Sequence, residues 1–338
     1  MTAQAQKTGK DTGGGVLVTG AAGFIGKSLI AELARDKSIN SEIVALDMRD
    51  VSSHDRLPNV TYVTGDIRDP ALKEIFAEHA PRTVVHLASI VAVGGDPQRD
   101  WEIDVLGTKN VLLASLNAGV EHLIVTSSGA AYGYHADNPI PLSEDDPLRG
   151  NEDFPYARNK REVEEMLTEW HELYPAIEQT VFRPCTVLGP TTNNQITAMF
   201  ERPVVMGLTG TSTPFSLIAD TDVVDALVKA VRQPKPGIYN LSSDGFLSLR
   251  DIARLNHKPY FAIPPAILKA ALWLLHALRI TELTPGNVKF IQYRPVLSNE
   301  KLKSEFGFTP QHNAAEVFER YRAGRAEREV SSRAEHVK

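Results

Sequence analysis

Short apolar runs alternate with amphipathic stretches along the first two thirds of this 338-residue chain. Val16-Leu17-Val18, Ile43-Val44-Ala45-Leu46, Val60-Thr61-Tyr62-Val63, Thr83-Val84-Val85-His86-Leu87, Leu123-Ile124-Val125 and Thr180-Val181-Phe182 each have the length and apolar continuity of a buried strand. Between the strands, Ile25, Leu29 and Leu33 recur at helical spacing, and helical patterns cover Pro70 to Glu78 and Gln98 to Asn117. This alternation predicts an α/β fold, a doubly wound parallel sheet covered on both faces by helices. Beyond Gly189 the pattern loosens. Thr191 to Gln195 and Gly207 to Pro214 read as loops, Tyr239-Asn240-Leu241 as one more strand returning to the sheet, and Ser298 to Phe306 as a late helix.

The segment from Tyr260 to Ile280 is the most apolar, but Pro264, Pro265, Lys269, His276 and Arg279 interrupt it, and it is too short to cross a bilayer. It reads as a partly buried helix packing on the substrate-binding part of the chain. A membrane-surface contact and a wall for a greasy substrate are the other readings. No internal repeat is visible.

A composition of 42% hydrophobic and 23% charged residues suits one large globular unit, or a core domain carrying a smaller lobe. The net charge of −6 and the lack of any basic block argue against nucleic acid as a partner and leave small molecules. A single cysteine, Cys185, cannot form an intrachain disulfide, and Met1 to Thr12 is polar, unlike a signal peptide. We expect a cytoplasmic protein.

Chemistry enters at a glycine-rich turn after the first strand, Thr19-Gly20-Ala21-Ala22-Gly23-Phe24-Ile25-Gly26. Gly20 permits a tight turn, Gly23 lets backbone approach a pyrophosphate, and Gly26 allows close packing of helix on strand. Asp47 follows at the spacing of a carboxylate that hydrogen-bonds an adenosine ribose. Such a carboxylate accepts from the hydroxyls of NAD and repels the extra phosphate of NADP. NAD is therefore the preferred cofactor, and NADP stays possible because Arg49 is close by; the plainer reading of Arg49 is an exposed charge.

Tyr156 and Lys160 lie four residues apart, which on a helix places a phenol beside an ammonium. The cation favours phenolate, whose ordinary pKa of roughly 10 is too high for efficient proton exchange near neutrality. A phenol tuned in this way can exchange a proton with a substrate oxygen.

Together these motifs resemble the extended short-chain dehydrogenase/reductase superfamily, of the NAD-dependent epimerase/dehydratase-like kind. The resemblance spans about residues 15 to 310. It rests on the glycine turn, Gly65-Asp66-Ile67-Arg68-Asp69, His86-Leu87-Ala88, Gly107-Thr108-x-Asn110, Thr126-Ser127-Ser128 with Tyr132-Gly133, Tyr156-x-x-x-Lys160, Arg183-Pro184 and Leu188-Gly189-Pro190. It implies a Rossmann fold with a smaller C-terminal substrate-binding lobe. The expected division is a disordered tail over 1–13, a dinucleotide-binding core with the catalytic residues over 14–188, a mainly substrate-binding lobe over 189–325 and a flexible tail over 326–338. A strand near 237–242 would return to the core.

The resemblance also implies roles. Ser128, Tyr156 and Lys160 would be catalytic, with Lys160 also holding the nicotinamide ribose and Ser127 a neighbour on the cofactor side. Gly20, Gly23, Phe24, Ile25, Gly26 and Asp47 would bind the cofactor, Asp66 and Ile67 would flank adenine, and Leu87 and Ala88 would line the dinucleotide. Pro184 and Cys185 would lie near the nicotinamide. Ser128, Tyr134, Thr186 and Phe215 are candidate substrate contacts. No metal site is expected, since His86 has no ligand partner at suitable spacing.

Departures from the family narrow the reaction. Dehydratases carry an Asp-Glu pair where this chain has Gly129-Ala130, so elimination lacks its usual acid and base. Epimerases place an Arg shortly before the Asp-Val pair that here is Asp222-Val223, and Phe215 stands in its place; they often have Asn where this chain has Thr186, although Arg294 could preserve a diphosphate contact. Asp104 replaces an Asn. Helix-surface variation is the plainer account of it, and an altered proton path near Lys160 the functional one. The favoured reading is an NAD(P)-dependent dehydrogenase/reductase interconverting a secondary alcohol and a ketone, with a small-molecule substrate. The alternative is a nucleotide-sugar 4-epimerase, and the third is a noncatalytic dinucleotide-sensing or assembly subunit. The family implies a homodimer through helices around Gln98 to Asn117 and Tyr156 to His171.

Overall fold

The computed structural model describes residues 14–39, 41–91, 95–211, 214–281 and 284–335. The expected tail over 1–13 and the last three residues lie outside them. The chain runs β1 (Val16–Thr19), α1 (Phe24–Arg35), β2 (Ile43–Asp47), β3 (Thr61–Thr64), α2 (Leu72–His79), β4 (Thr83–His86), α3 (Pro97–Trp101), α4 (Gly107–Ala118), β5 (His122–Thr126), α5 (Pro155–Leu173) and β6 (Glu178–Pro184). It continues through β7 (Thr186–Leu188), α6 (Gln195–Glu201), β8 (Val205–Leu208), β9 (Pro214–Phe215), β10 (Leu217–Ala219), α7 (Asp220–Arg232) and β11 (Gly237–Leu241). Then come β12 (Leu247–Ser248), α8 (Leu249–Leu255), β13 (Tyr260–Ile263), α9 (Pro265–Ala277), α10 (Lys289–Gln292) and α11 (Ala314–Glu335).

Seven parallel strands form one sheet in the order β11-β6-β5-β4-β1-β2-β3. The order reverses at β1, whose neighbours β2 and β4 lead away on opposite sides. That reversal opens a crevice at the carboxyl ends of β1 and β4. Successive side chains in a strand face opposite ways. Val16 and Val18 accordingly pack with Leu29, Leu33 and Leu227 on one face, and Leu17 packs with Phe76, Leu112 and Val163 on the other. With both faces covered, the strands read as continuous apolar runs.

The predicted strand at Tyr239 is present as β11, paired with β6 through Tyr239 opposite Phe182. Around Phe200, Phe215, Leu249 and Phe318 the C-terminal region builds a separate apolar core. Between the two predicted loops, Thr191 to Gln195 and Gly207 to Pro214, lie α6 and β8, and β8 takes the first two residues of the second loop. Asn194 starts α6 by accepting from the backbone N–H groups of Ile196 and Thr197, and β8 finds its partner, β13, more than fifty residues later. Such a distant pairing leaves no local signal. The expected helix over Ser298 to Phe306 is present from Glu300 onward and tightens into a π-helical turn over Leu302–Phe306 that ends at Gly307 in the left-handed region. Conversely, α11 runs on to Glu335, through much of the segment that reads as a flexible tail. A π-helical turn over Glu102–Leu106 joins α3 to α4 in one helical path. No residue of α9 is fully buried, and among the described residues no helix is long and apolar enough to cross a membrane.

One ion pair crosses the interior. Arg183 on β6 donates from Nε and Nη2 to the Glu164 carboxylate on α5, at 2.9 Å and 2.7 Å to Oε2, with both side chains buried. Glu164 Oε1 also accepts from Ser127 Oγ, and Arg183 Nη1 donates at 2.7 Å to the Tyr132 hydroxyl. Burial opposes the guanidinium charge, but Glu164 and Tyr132 more than offset it and the Arg183 pKa is raised. Truncating one partner leaves the other charged and dry. We therefore expect Arg183→Met to lose about 3–5 kcal/mol of stability, read as a lower urea midpoint with an unchanged slope.

Candidate active site

Three glycines shape the turn after β1. Gly20 has φ +71°, and a Cβ there would lie 2.7 Å from the Ala88 backbone nitrogen. At Gly26 a Cβ would come within 2.2 Å of the Gly20 carbonyl, so helix and turn close only on glycine. The cap of α1, Gly23, offers no side-chain acceptor, so the first N–H groups of the helix are free for an anion, and Phe24 and Ile25 form its first turn. Asp47 ends β2 on the same side. Its Oδ2 accepts from Ala22 N at 2.9 Å, and its Oδ1 accepts from Arg49 N at 3.0 Å and Arg49 Nε at 3.2 Å. Arg49 is thus exposed, as its plainer reading says, yet held to Asp47.

Asp66 takes a bidentate contact from Arg68, which holds its carboxyl below the usual range despite some desolvation. Ile67 is buried beside it, while Leu87 and Ala88 follow β4 half-buried. A dinucleotide fits these residues, because backbone closes where a side chain would intrude and a fixed carboxylate stands at the next strand end. Pro184 ends β6 and Cys185 follows it; burial pushes the Cys185 thiol up to about 12, which leaves no thiolate to act as a nucleophile.

Tyr156 and Lys160 occupy one face of α5, where Pro155 sets the first turn. The Ser128 hydroxyl lies close enough to the Tyr156 phenol to favour its ionised form, and it accepts from Ala130 N at 3.1 Å, which starts the short 3₁₀ turn over Gly129–Tyr132. The Lys160 Nζ lies 5.8 Å from the centre of the Tyr156 ring and donates to Ser89 Oγ at 2.8 Å. The phenol departs from the expected tuning. Burial pushes Tyr156 up to about 12, the Ser128 hydroxyl works against this, and the charge of Asp104 adds to it. In this arrangement desolvation, and not the cation, sets the direction of the shift.

Asp104 itself is not on a helix surface, as its plainer reading would have it. It lies in the π-helical turn with 2% exposure, and its Oδ1 accepts from Ile90 N at 3.0 Å. The Ser127 hydroxyl donates to Glu164 Oε1.

Aromatic side chains wall the other side. Tyr134 packs edge-on against Phe154 and Phe290, and Phe154 is tilted against Tyr156. Burial raises the Tyr134 pKa, opposed by the nearby Arg294 charge and aided by Tyr156. Arg294 sits 4.2 Å over the Phe215 ring and donates to Thr186 Oγ1 at 3.3 Å, and burial lowers its pKa. Phe215 is buried, so it reaches the pocket through Arg294. His135 points away and pairs with the Arg149 carbonyl. Ser89 and Glu164 escaped the sequence reading. Ser89 directly follows the His86-Leu87-Ala88 motif, the one signal that could have flagged it; Glu164 is one more turn along the Lys160 face. Among the described residues no group of His, Cys, Asp and Glu could hold a metal ion.

A glycine cradle at the sheet's switch point, with a Ser, Tyr and Lys gathered at the neighbouring strand ends, defines a dinucleotide-dependent enzyme of the short-chain dehydrogenase/reductase type. The chain belongs to the NAD dependent epimerase/dehydratase family, whose model matches residues 16–242. It is 27% identical over 319 residues to an uncharacterised protein of Mycobacterium tuberculosis, covering 92% of this chain and 84% of the relative. It is 33% identical over 233 residues to a UDP-glucose 4-epimerase of Mycolicibacterium smegmatis, covering 63% of this chain and 72% of the relative. A UDP-glucose 4-epimerase of Thermus thermophilus, solved in complex with NAD, shares the fold at a TM-score of 0.69 and 24% identity, over 91% of this chain and 99% of that one.

His86 lies under the site, with Nδ1 2.7 Å from Thr19 Oγ1 and Nε2 3.0 Å from Thr108 Oγ1. Burial, then the Lys160 charge, push it from 6.5 down to about 3. A depressed histidine pKa gives stability that is complete above the unfolded value and is lost as pH falls toward the folded one. Melting temperature should thus decline from about pH 6.5 toward pH 4, and His86→Gln should flatten that decline in a pH series of thermal melts.

Proposed function

We propose that this chain interconverts a secondary alcohol and a ketone, with Tyr156 as general acid and base. The observation that carries this reading is the approach of the Ser128 hydroxyl to the Tyr156 phenol, with Lys160 one turn along the same helix. A bound nicotinamide would supply or accept the hydride. At neutral pH a phenol raised to about 12 is protonated, so Tyr156 can donate to a carbonyl oxygen being reduced. In oxidation it takes the alcohol proton, and Lys160 is close enough to stabilise the phenolate that precedes this step. Ser128 holds the reacting oxygen and donates to it as negative charge develops, an interaction stronger in a dry pocket than in water. Elimination has no support, since Gly129-Ala130 carries no acid and a Cβ at Gly129 would lie 2.8 Å from Leu297.

The cofactor assigned is NAD. Asp47 is fixed by the turn backbone, and Arg49 is drawn onto that carboxylate, leaving a site that suits ribose hydroxyls and opposes a phosphate. Asp47→Ala should weaken NAD binding about tenfold or more, as expected for a lost hydrogen bond to a charged group, while NADP binding changes little or improves. Titration calorimetry with both nucleotides separates these outcomes.

A nucleotide-sugar 4-epimerase is the second reading, and Arg294 favours it. Its guanidinium stands beside Thr186 in the pocket, where a diphosphate could be met, and two relatives bear that activity in their names. Net NADH formed with a secondary alcohol supports the first reading; interconversion of UDP-hexoses without net NADH supports the second. Tyr156→Phe should cut turnover by about 10²-fold or more in either case and spare nucleotide binding. Full activity in that variant removes both readings and leaves a noncatalytic dinucleotide sensor. A homodimer would use Leu106 and Leu113, which are exposed along the α3 to α4 path.

A further inference from the structure

No residue of helix α9 is fully buried. This helix shows solvent a face of Ala266, Ile267, Ala270, Trp273, Leu274 and Ala277, positions spaced three and four apart, and Trp273 is 65% exposed. The surface extends into the strand that precedes it. Phe261 of β13 lies opposite Met206 of β8, and both are exposed. Soluble proteins seldom leave an apolar face of this extent without a use for it.

Charge says what covers it. From Ile252 to Thr281 the chain has no Asp or Glu and carries Lys258, Lys269 and Arg279, besides Arg254, which pairs with Asp251, in a protein whose net charge is −6. Lys269 and His276, seven residues apart, edge one side of the helix. Its C-terminal end opens on a hollow of about 670 Å³ lined by His276, Ala277, Arg279, Ile280 and Thr281, none of them part of the Tyr156 pocket. We propose that α9 is a peripheral membrane-binding element that lies in the headgroup region of an anionic bilayer, with Trp273 and its apolar neighbours dipped toward the acyl chains and an anionic headgroup beside His276 and Arg279. An apolar face bordered by cations, with a tryptophan at the boundary, is the pattern of a helix lying in a membrane surface. Thirteen residues span only about 20 Å of helix, which suits lying flat and excludes crossing.

Co-sedimentation of the full chain with vesicles tests this. Binding should be clear with mixed phosphatidylcholine and phosphatidylglycerol, weak with phosphatidylcholine alone, and reduced by salt. Lys269→Glu with Arg279→Glu should weaken partitioning about tenfold or more; Trp273→Glu should do the same while NAD binding and thermal midpoint stay those of the parent. In the unmodified protein, brominated lipids should quench tryptophan emission, and Trp273→Phe should remove most of that quenching, a readout that does not need the charged variants to fold. No association with anionic vesicles, equal association with neutral ones, quenching unchanged in Trp273→Phe, or a dimer that Trp273→Glu dissociates in place of vesicle binding would each overturn the proposal.

Discussion

The pair formed by Arg183 and Glu164 is the constraint on which the site depends. Helix α5 carries Tyr156 and Lys160, whereas Ser128 comes from the turn after β5; nothing in the chain's local preferences sets the distance between them. The buried pair ties α5 to β6, Ser127 adds the end of β5, and Tyr132 adds the far end of the turn that Ser128 begins. Four elements are thus clamped in the plane where the phenol meets the serine hydroxyl. An apolar contact of similar area could hold the helix with comparable strength. It would not hold it in one register, because the bidentate geometry of a guanidinium on a carboxylate accepts little rotation.

Around that clamp, the electrostatics run through desolvation. Tyr156 is protonated more firmly than a phenol in water, His86 is kept neutral beneath it, and Asp104 brings a buried negative charge from the π-helical turn. Lys160 reaches across to Ser89, at the end of the strand that borders the dinucleotide crevice, so one ammonium links the proton-handling side of the site to its cofactor side. The pocket beyond is mixed in character. Its wall is aromatic, yet Arg294 stands within it on the face of Phe215. Phe215, where epimerases carry an Arg, serves as the platform for an arginine contributed from elsewhere in the chain.

Much of this was legible beforehand. The parallel sheet follows from apolar runs at regular intervals, because a strand buried on both faces cannot carry polar residues. Glycine at 20 and 26 follows from backbone contacts that no side chain could survive, and the i,i+4 pairing of Tyr156 with Lys160 follows from helical geometry. Where the reading failed, the cause was distance along the chain. β8 pairs with β13, so no window of sequence around Val205 to Leu208 could reveal it. Asp104 read as helix-surface variation, and only the packing of α3 and the π-helical turn against α5 buries it.

By itself, then, the amino-acid order determined the elements, their parallel arrangement, the glycine cradle and the identities of the candidate site residues, since each of these is written in spacings of a few residues. Tertiary structure decided the rest: the sign of the Tyr156 shift, the partner of Lys160, the seat of Arg294 and the bare face of α9. Those depend on desolvation and on charges brought together from remote parts of the chain, and neither quantity exists until the chain has folded.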